Sequence, residues 1–395
     1  MPNQFFSPEG DLENYFVTEY WLIDQYVGDE LWAWGNAING RLGNATTTPI
    51  RSTPVTTSSG GINWKLPSGT SNASAAIKTD GTLWVWGTNT AGGLALGPST
   101  ASPLTPVTTF AGGNNWKSLS GTTSAIKTDG TLWVWGSATG GRLGNATTTP
   151  NRSTPVTTFA GGNNWKQVSG TAAVKTDGTL WVWGDQARGR LGNGVTTGSI
   201  STPVTTFAGG NNWKQVSTGG QSCAAVKTDG TLWTWGNGSN GRLGNGVTTG
   251  SISTPVTTFA GGNNWKQVSC GDIHVAAIKT DGTLWTWGYG NNGRLGNAVT
   301  TGNISTPVTT FAGGTNWKQV SGGDLVSAAI KTDGTLWIWG SAVNGSLGNT
   351  FSSSAISIPT PITTFMGGTN WKYVSVNSDG PMAVFSGTTP DLPIS

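Results

Sequence analysis

Three aspartates, one histidine and two cysteines are the side chains whose types could do chemistry in this chain. Asp185, Asp272 and Asp324 fall in segments that differ between internal copies, and two such carboxylates could serve as acid and base in glycoside hydrolysis. Nothing in their spacing singles out a pair. His274 is the chain's one histidine, so a histidine metal cluster is excluded, and a lone loop histidine reads as a solvated or capped side chain. It has no serine or cysteine partner in a motif-like context. Cys223 and Cys270 occupy non-equivalent places in adjacent copies, which excludes a disulfide framework and leaves open whether the two pair. Gly236-Asn-Gly-Ser-Asn-Gly and Gly288-Tyr-Gly-Asn-Asn-Gly fit G-x-G-x-x-G, but neither precedes a helix, so neither is a dinucleotide site. The expectation is a noncatalytic protein with no cofactor and no metal.

The elements that would position these residues come from a repeat of about 50 residues, D-G-T-L-W-x-W-G, whose Leu-Trp pairs begin at Leu31, Leu83, Leu132, Leu180, Leu232, Leu284 and Leu336. Asn-Trp-Lys recurs in step, with Trp64, Trp116, Trp165, Trp213, Trp265, Trp317 and Trp371. So does Thr-Pro-Val/Ile-Thr-Thr. These Trp markers hold 21 of the 22 tryptophans; only Trp21 lies outside.

In the copy from Asn114 to Gly162, Trp116-Lys-Ser-Leu-Ser reads as a first strand, A, and Ser124-Ala-Ile-Lys-Thr as a second, B. Thr131-Leu-Trp-Val-Trp is a third, C, and Pro155-Val-Thr-Thr-Phe a fourth, D. Asp129-Gly130 predicts a two-residue hairpin in which both residues accept positive φ. In strand C, Trp133 and Trp135 point to one face and Leu132 and Val134 to the other. Both faces are apolar and both must be covered, which a propeller blade between two neighbours achieves. Seven units give an all-β, seven-bladed propeller of four-stranded antiparallel blades over residues 29–387. An arm (1–28) precedes it and a short tail (388–395) follows. The chain enters at strand C and leaves after A and B, so the ring closes by joining both ends in one blade, which removes exposed edges. Either residues 20–23 or 381–385 could supply that blade's second strand.

Composition agrees: 62 glycines, 35% hydrophobic residues and 10% charged ones suit short strands and turns. No apolar run approaches the roughly 20 residues of a membrane helix, and the start lacks the pattern of a secretory signal. All 13 lysines lie in the Asn-Trp-Lys and Lys-Thr-Asp-Gly markers, and all eight arginines in or near C–D loops. The first 30 residues carry seven acids and no base, which leaves 11 acids (18 − 7) against 21 bases in the rest. Lysines alternate with aspartates and no reading helix exists, so no specific nucleic acid is expected.

The W-G-x-N-x-x-G-R-L-G segment after a D-G-T-L-W strand resembles the regulator-of-chromosome-condensation repeat family. The resemblance covers about residues 29 to 387 and implies a seven-bladed propeller. That family includes exchange factors, inhibitors and scaffolds, so it implies no single activity. The histidine usual near the start of strand B appears only as His274, and the wedge loop of the exchange factors is not visible. The leader, Met1-Pro-Asn-Gln-Phe-Phe through Ile23-Asp24, looks like that of propeller-type structural proteins of marine tailed phages. It implies a virion component assembled in the host cytoplasm, anchored to other virion proteins through the arm residues Phe5, Phe6, Tyr15, Phe16, Tyr20 and Trp21.

In an antiparallel blade the A–B and C–D connections share one face of the disc, and B–C and D–A the other. B–C and D–A are nearly uniform, whereas A–B and C–D vary. The variable face is therefore the candidate recognition surface, with Asp185, Arg188, Gln221, Asp272, His274, Tyr289 and Asp324, unless its loops have merely drifted where strands cannot. The lysines of the uniform face either take the acidic arm or are solvated strand ends. The reading is a phage structural protein at the tail, neck or capsid exterior that contacts a host surface or a protein. The alternative is a soluble bacterial binding module, a protein inhibitor or carbohydrate reader. Assembly of several rings is left open.

Overall fold

The computed structural model describes residues 28–47, 50–351, 356–377 and 380–387. The proposed arm side chains Phe5, Phe6, Tyr15, Phe16, Tyr20 and Trp21, residues 20–23 and the tail lie outside them. Seven four-stranded antiparallel sheets make up the ring. Blade 1 joins β27 (Trp371–Val376) and β28 (Pro381–Ser386) to β1 (Asp29–Gly35) and β2 (Arg51–Thr56), in the order β2-β1-β28-β27. The C-terminal strand is thus the closing one: β28 pairs with β1 from Asp29↔Ser386 to Ala33↔Met382. Blades 2 to 7 follow as β3–β6, β7–β10, β11–β14, β15–β18, β19–β22 and β23–β26. Their inner strands begin at Trp64, Trp116, Trp165, Trp213, Trp265 and Trp317. Each inner strand touches those of both neighbouring blades, so the inner strands line the axis.

The hydrophobic core is spread over the layers between blades. In one such layer Ala224, Val226 and Leu232 of blade 5 meet Trp265, Val268, Val275, Ala277 and Trp287 of blade 6. Each buried tryptophan removes about 150–250 Å² from water, worth about 4–6 kcal/mol by area. Its indole N–H must also find a partner. Trp287 Nε1 donates to the Arg242 carbonyl of the preceding blade at 3.0 Å, and Trp86, Trp183, Trp235 and Trp339 do the same to Arg41, Arg142, Arg190 and Arg294. This is the physical content of the R-L-G signature. The arginine carbonyl accepts, the leucine is buried, and the glycine packs on the ring. At Gly244 (φ +63) an added Cβ would lie 2.7 Å from Trp287 Nε1.

The B–C turn departs from the two-residue hairpin expected. Only the glycine takes positive φ (Gly130, +81°), while Asp129 does not. Asp129 instead caps the turn, accepting from Thr131 N at 2.9 Å and Thr131 Oγ1 at 2.7 Å. These bonds hold its carboxyl below the usual carboxylate range. The Thr131 hydroxyl then accepts from Trp133 Nε1 at 2.8 Å. Strand D also begins earlier than expected, at Arg152 in β10 (Arg152–Thr157), and ends before Phe159.

A polar belt laces the inner strands. Gln215 donates Nε2–H to the Val268 carbonyl (2.8 Å) and accepts from Val268 N (3.0 Å). Gln167, Gln267 and Gln319 repeat the clamp onto Val216, Val320 and Val374. Serine hydroxyls add a second tie, as from Cys270 N to Ser217 Oγ at 2.9 Å. Blades 4–5, 5–6, 6–7 and 7–1 carry both ties, and blades 3–4 only the serine, Ser120 to Gly170 N. Leu66 and Tyr373 stand at the glutamine position of blades 2 and 1, and among the described residues joints 1–2 and 2–3 carry neither tie.

Candidate functional site

The A–B hairpins meet around the axis on the variable face and enclose a cavity of about 570 Å³. Its wall is backbone and small polar side chains from five blades, including Thr70, Ser71, Thr218, Asp272, Asp324 and Asn377. Blades 3 and 4 are missing from it because their hairpins are short. Trp116 to Lys127 spans 11 positions and Trp165 to Lys175 spans 10, against 14 from Trp64 to Lys78. Their second strands have four residues each, where β4 (Ala73–Lys78) has six. The shortfall opens a side notch of about 310 Å³ beside Thr123, Arg142 and Thr171. This spacing change was visible in the sequence and marks residues that the loop comparison alone does not single out.

The arginine of each R-L-G motif decides how firmly the mouth is held. In blade 6, Arg294 is buried; it donates Nη1–H to the Asp324 carbonyl of blade 7 at 2.8 Å and Nε–H to Asn291 O at 2.8 Å. The Asp324 carboxylate lies 3.9 Å away and the Tyr289 ring centroid 4.8 Å away. Burial pulls the Arg294 pKa below the ordinary value, and Asp324, Tyr289 and Asp272 act against that shift. Arg242 and Arg41 make the same bridge to Asp272 O and Ser71 O of their following blades. Arg142, facing the short hairpin of blade 4, is exposed.

The seven residues proposed for the recognition face separate accordingly. Asp272 and Asp324 line the mouth. Tyr289 stands just outside it, stacked on Arg294, with its hydroxyl 2.6 Å from Asn291 Nδ2. Gln221 accepts from Asn237 Nδ2 at 2.5 Å and is half-buried. Asp185 and Arg188 belong to blade 4, away from the mouth. Asp185 pairs with Arg190 at 3.5 Å, and Arg188 is exposed at a turn tip (φ 61°).

His274 is a correction. It opens β20 (His274–Lys279) and is 1% exposed, so it is neither solvated nor available to a partner on the face. Ser327 Oγ donates to Arg294 O at 3.0 Å and so accepts from His274 Nε2–H at 2.7 Å, which fixes the neutral tautomer. Burial first, then the Arg294 charge, lowers the His274 pKa to about 3. The three aspartates kept open for hydrolysis are not assembled as a pair either: Asp185 is on another blade, and Asp272 and Asp324 both stand beside Arg294. Cys223 and Cys270 are free and buried, and burial pushes the Cys270 thiol up to about 12. No three His, Cys, Asp or Glu among the described residues could hold a metal ion, and no helix there is long and apolar enough to cross a membrane.

Seven blades, the R-L-G carbonyl bond to a neighbouring tryptophan and a loop-ringed axial mouth define the class: a seven-bladed repeat propeller. The regulator of chromosome condensation (RCC1) repeat matches residues 177–226, 229–278 and 281–330. The chain thus carries RCC1 repeats over that stretch, within a ring of seven blades. Among its relatives, the mitochondrial RCC1 domain-containing protein RUG3 of Arabidopsis thaliana is 34% identical over 133 residues, 33% of this chain and 30% of that protein. The chain therefore spans less than a third of the length of this curated relative. Two solved structures share the fold. Human WBSCR16 has a TM-score of 0.76 at 19% identity, covering 91% of this chain and 99% of that one. Yeast RCC1 (Prp20), bound to Kap60, has a TM-score of 0.75 at 17% identity, covering 98% and 95%.

Proposed function

We propose that the propeller is a noncatalytic binding module that presents its A–B and C–D loops to a protein partner, as a structural component of a phage particle. The observation that carries the binding reading is the concentration of sequence differences on the loops around the axial mouth. The opposite face barely varies, and Arg190 to Ser217 repeats unchanged as Arg242 to Ser269. The mouth suits a protein more than a sugar. Among the described residues its lining has no aromatic platform, but offers glycine backbone, hydroxyls and the carboxylates of Asp272 and Asp324. A lysine or arginine side chain of a partner fits that chemistry. Prp20p of Saccharomyces cerevisiae, which shares the fold, binds Gsp1p and histones.

The virion reading draws on the resemblance of the leader, and would place the ring at the tail, neck or capsid exterior with its variable face toward a host surface. Gold-tagged antibody against residues 29–387, applied to purified particles, tests it. Discrete labelling at one structure is the expected result. Absence from particles, with the protein free in the lysate, refutes the virion role and leaves the soluble bacterial binding module. Loss of partner capture on Asp272→Ala with Asp324→Ala tests the mouth in either setting.

A further inference from the structure

Six equivalent phenylalanines stand in solvent on the uniform face. Phe110, Phe159, Phe207, Phe259, Phe311 and Phe365 follow the outermost strands and are 39–74% exposed, a periodic apolar rim around this face. The seventh position, in blade 1, is Ser58. Inside the rim lie the lysines. Those that open the inner strands, such as Lys65, Lys214 and Lys318, are exposed. Those that end the second strands sit between two indoles, as Lys331 does at 4.8 Å from Trp317 and 4.2 Å from Trp337.

The chain enters the ring on this same face. β1 starts at Asp29, whose carboxylate is 2.7 Å from Lys372 Nζ, and Gly28 packs against Ile62. The 27 residues before Gly28 hold Glu9, Asp11, Glu13, Glu19 and Asp24 without one lysine or arginine, together with seven aromatic residues, the six named for the arm and Tyr26. Extended, they reach roughly 90 Å, more than seven sheets spaced about 10 Å apart.

We propose that residues 1–27 dock across the B–C and D–A face of their own ring, carboxylates on the exposed lysines and aromatic side chains on the phenylalanine rim. The rim is interrupted in the blade from which the arm departs, which leaves its path clear. A second ring stacked on this face is the poorer occupant. Each face sets 13 lysines against eight acids (six turn aspartates, Asp29 and Glu30), so two such faces repel. The inference stands apart from the virion reading and survives its failure.

Zero-length carbodiimide coupling of the full chain, mixed as light and nitrogen-15 copies, tests it by mass spectrometry. The Asp29–Lys372 linkage serves as the internal standard. The expected result is linkage of Glu9, Asp11, Glu13, Glu19 or Asp24 to face lysines within single copies. It should fall in 1 M salt, where the screening length is about 3 Å. Phe110→Ser, Phe159→Ser and Phe207→Ser together should cut the yield roughly tenfold relative to that standard. Arm carboxylates left unlinked while Asp29 couples, mixed light–heavy linkages in the proportion that random pairing of copies gives, or a yield indifferent to the three serines would each overturn the docking.

Discussion

Replacing His274 by valine should make the stability of the ring less sensitive to acid, by an amount that follows from where the imidazole sits. Valine is the residue that the fold itself uses there, since Val326 pairs with Gly340 in blade 7 as His274 pairs with Gly288 in blade 6. In the folded ring the imidazole is buried with Nδ1 unpartnered among the described residues, and its pKa is about 3 against an ordinary 6.5. Between those two values the unfolded chain binds a proton that the folded one refuses, so stability falls as pH falls. From neutral pH to pH 5 the loss is about 2 kcal/mol, 1.5 pH units at 1.36 kcal/mol each. Below about pH 3 both states are protonated and the loss levels off. Urea unfolding at pH 7 and pH 5, on the natural protein and H274V, reads the effect. Carboxylate titration is common to both proteins and cancels in the difference. The natural protein should lose about 2 kcal/mol more than the variant over that interval. An equal loss in the two would refute the assigned burial of a neutral imidazole.

Three further outcomes can be measured by the same unfolding transitions. Gln215→Ala strands the N–H and carbonyl of Val268 at the inner wall and should cost about 2–4 kcal/mol. Ending the chain after Val374 removes β28, with buried Met382, Ala383, Val384 and Phe385, from between β27 and β1; a loss of at least about 5 kcal/mol and a sharp drop in Tm should follow. An unchanged Tm would contradict closure by the C-terminal strand. Gly244→Ala drives a Cβ into Trp287 and should cost more than Gly261→Ala, where nothing lies within 4 Å of the new carbon; about 1–3 kcal/mol should separate them.

What the sequence made legible was whatever a single copy dictates. Trp133 and Trp135 on one face of a strand and Leu132 and Val134 on the other demand cover on both sides, and seven copies entering at strand C demand a shared blade. The glutamines of the belt were illegible for the opposite reason. Gln167, Gln215, Gln267 and Gln319 look like ordinary outward polar residues of an alternating strand, and acquire partners only when a neighbouring inner strand arrives beside them. His274 was misplaced because a histidine after Gly271-Asp272-Ile273 reads as loop, whereas the hairpin is tight enough to make it the first residue of β20. The turn at Asp129-Gly130 was right in place and wrong in type, since an aspartate that can cap Thr131 has no need of positive φ. Asp272 and Asp324 were legible as variable positions, but their shared neighbour Arg294 was hidden inside a motif that five of the seven copies display.

The uneven lacing of the inner strands has a mechanical consequence. Four joints in succession, from blade 4 round to blade 1, have their inner strands cross-tied by amide and hydroxyl, while those on either side of blade 2 lack these two ties and keep only hydrogen bonds outside the inner strands, such as Trp86 to Arg41 O and Trp135 to Gly93 O. A hoop built this way is stiff along one arc and compliant along the other. Thermal strain or a pulling partner would flex it toward an oval at blade 2, whose outermost strand is only Val107–Thr108. The aperture at Thr70 and Ser71 would then widen while the Asp272 and Asp324 side kept its shape, so a ligand would meet one fixed jaw and one that yields.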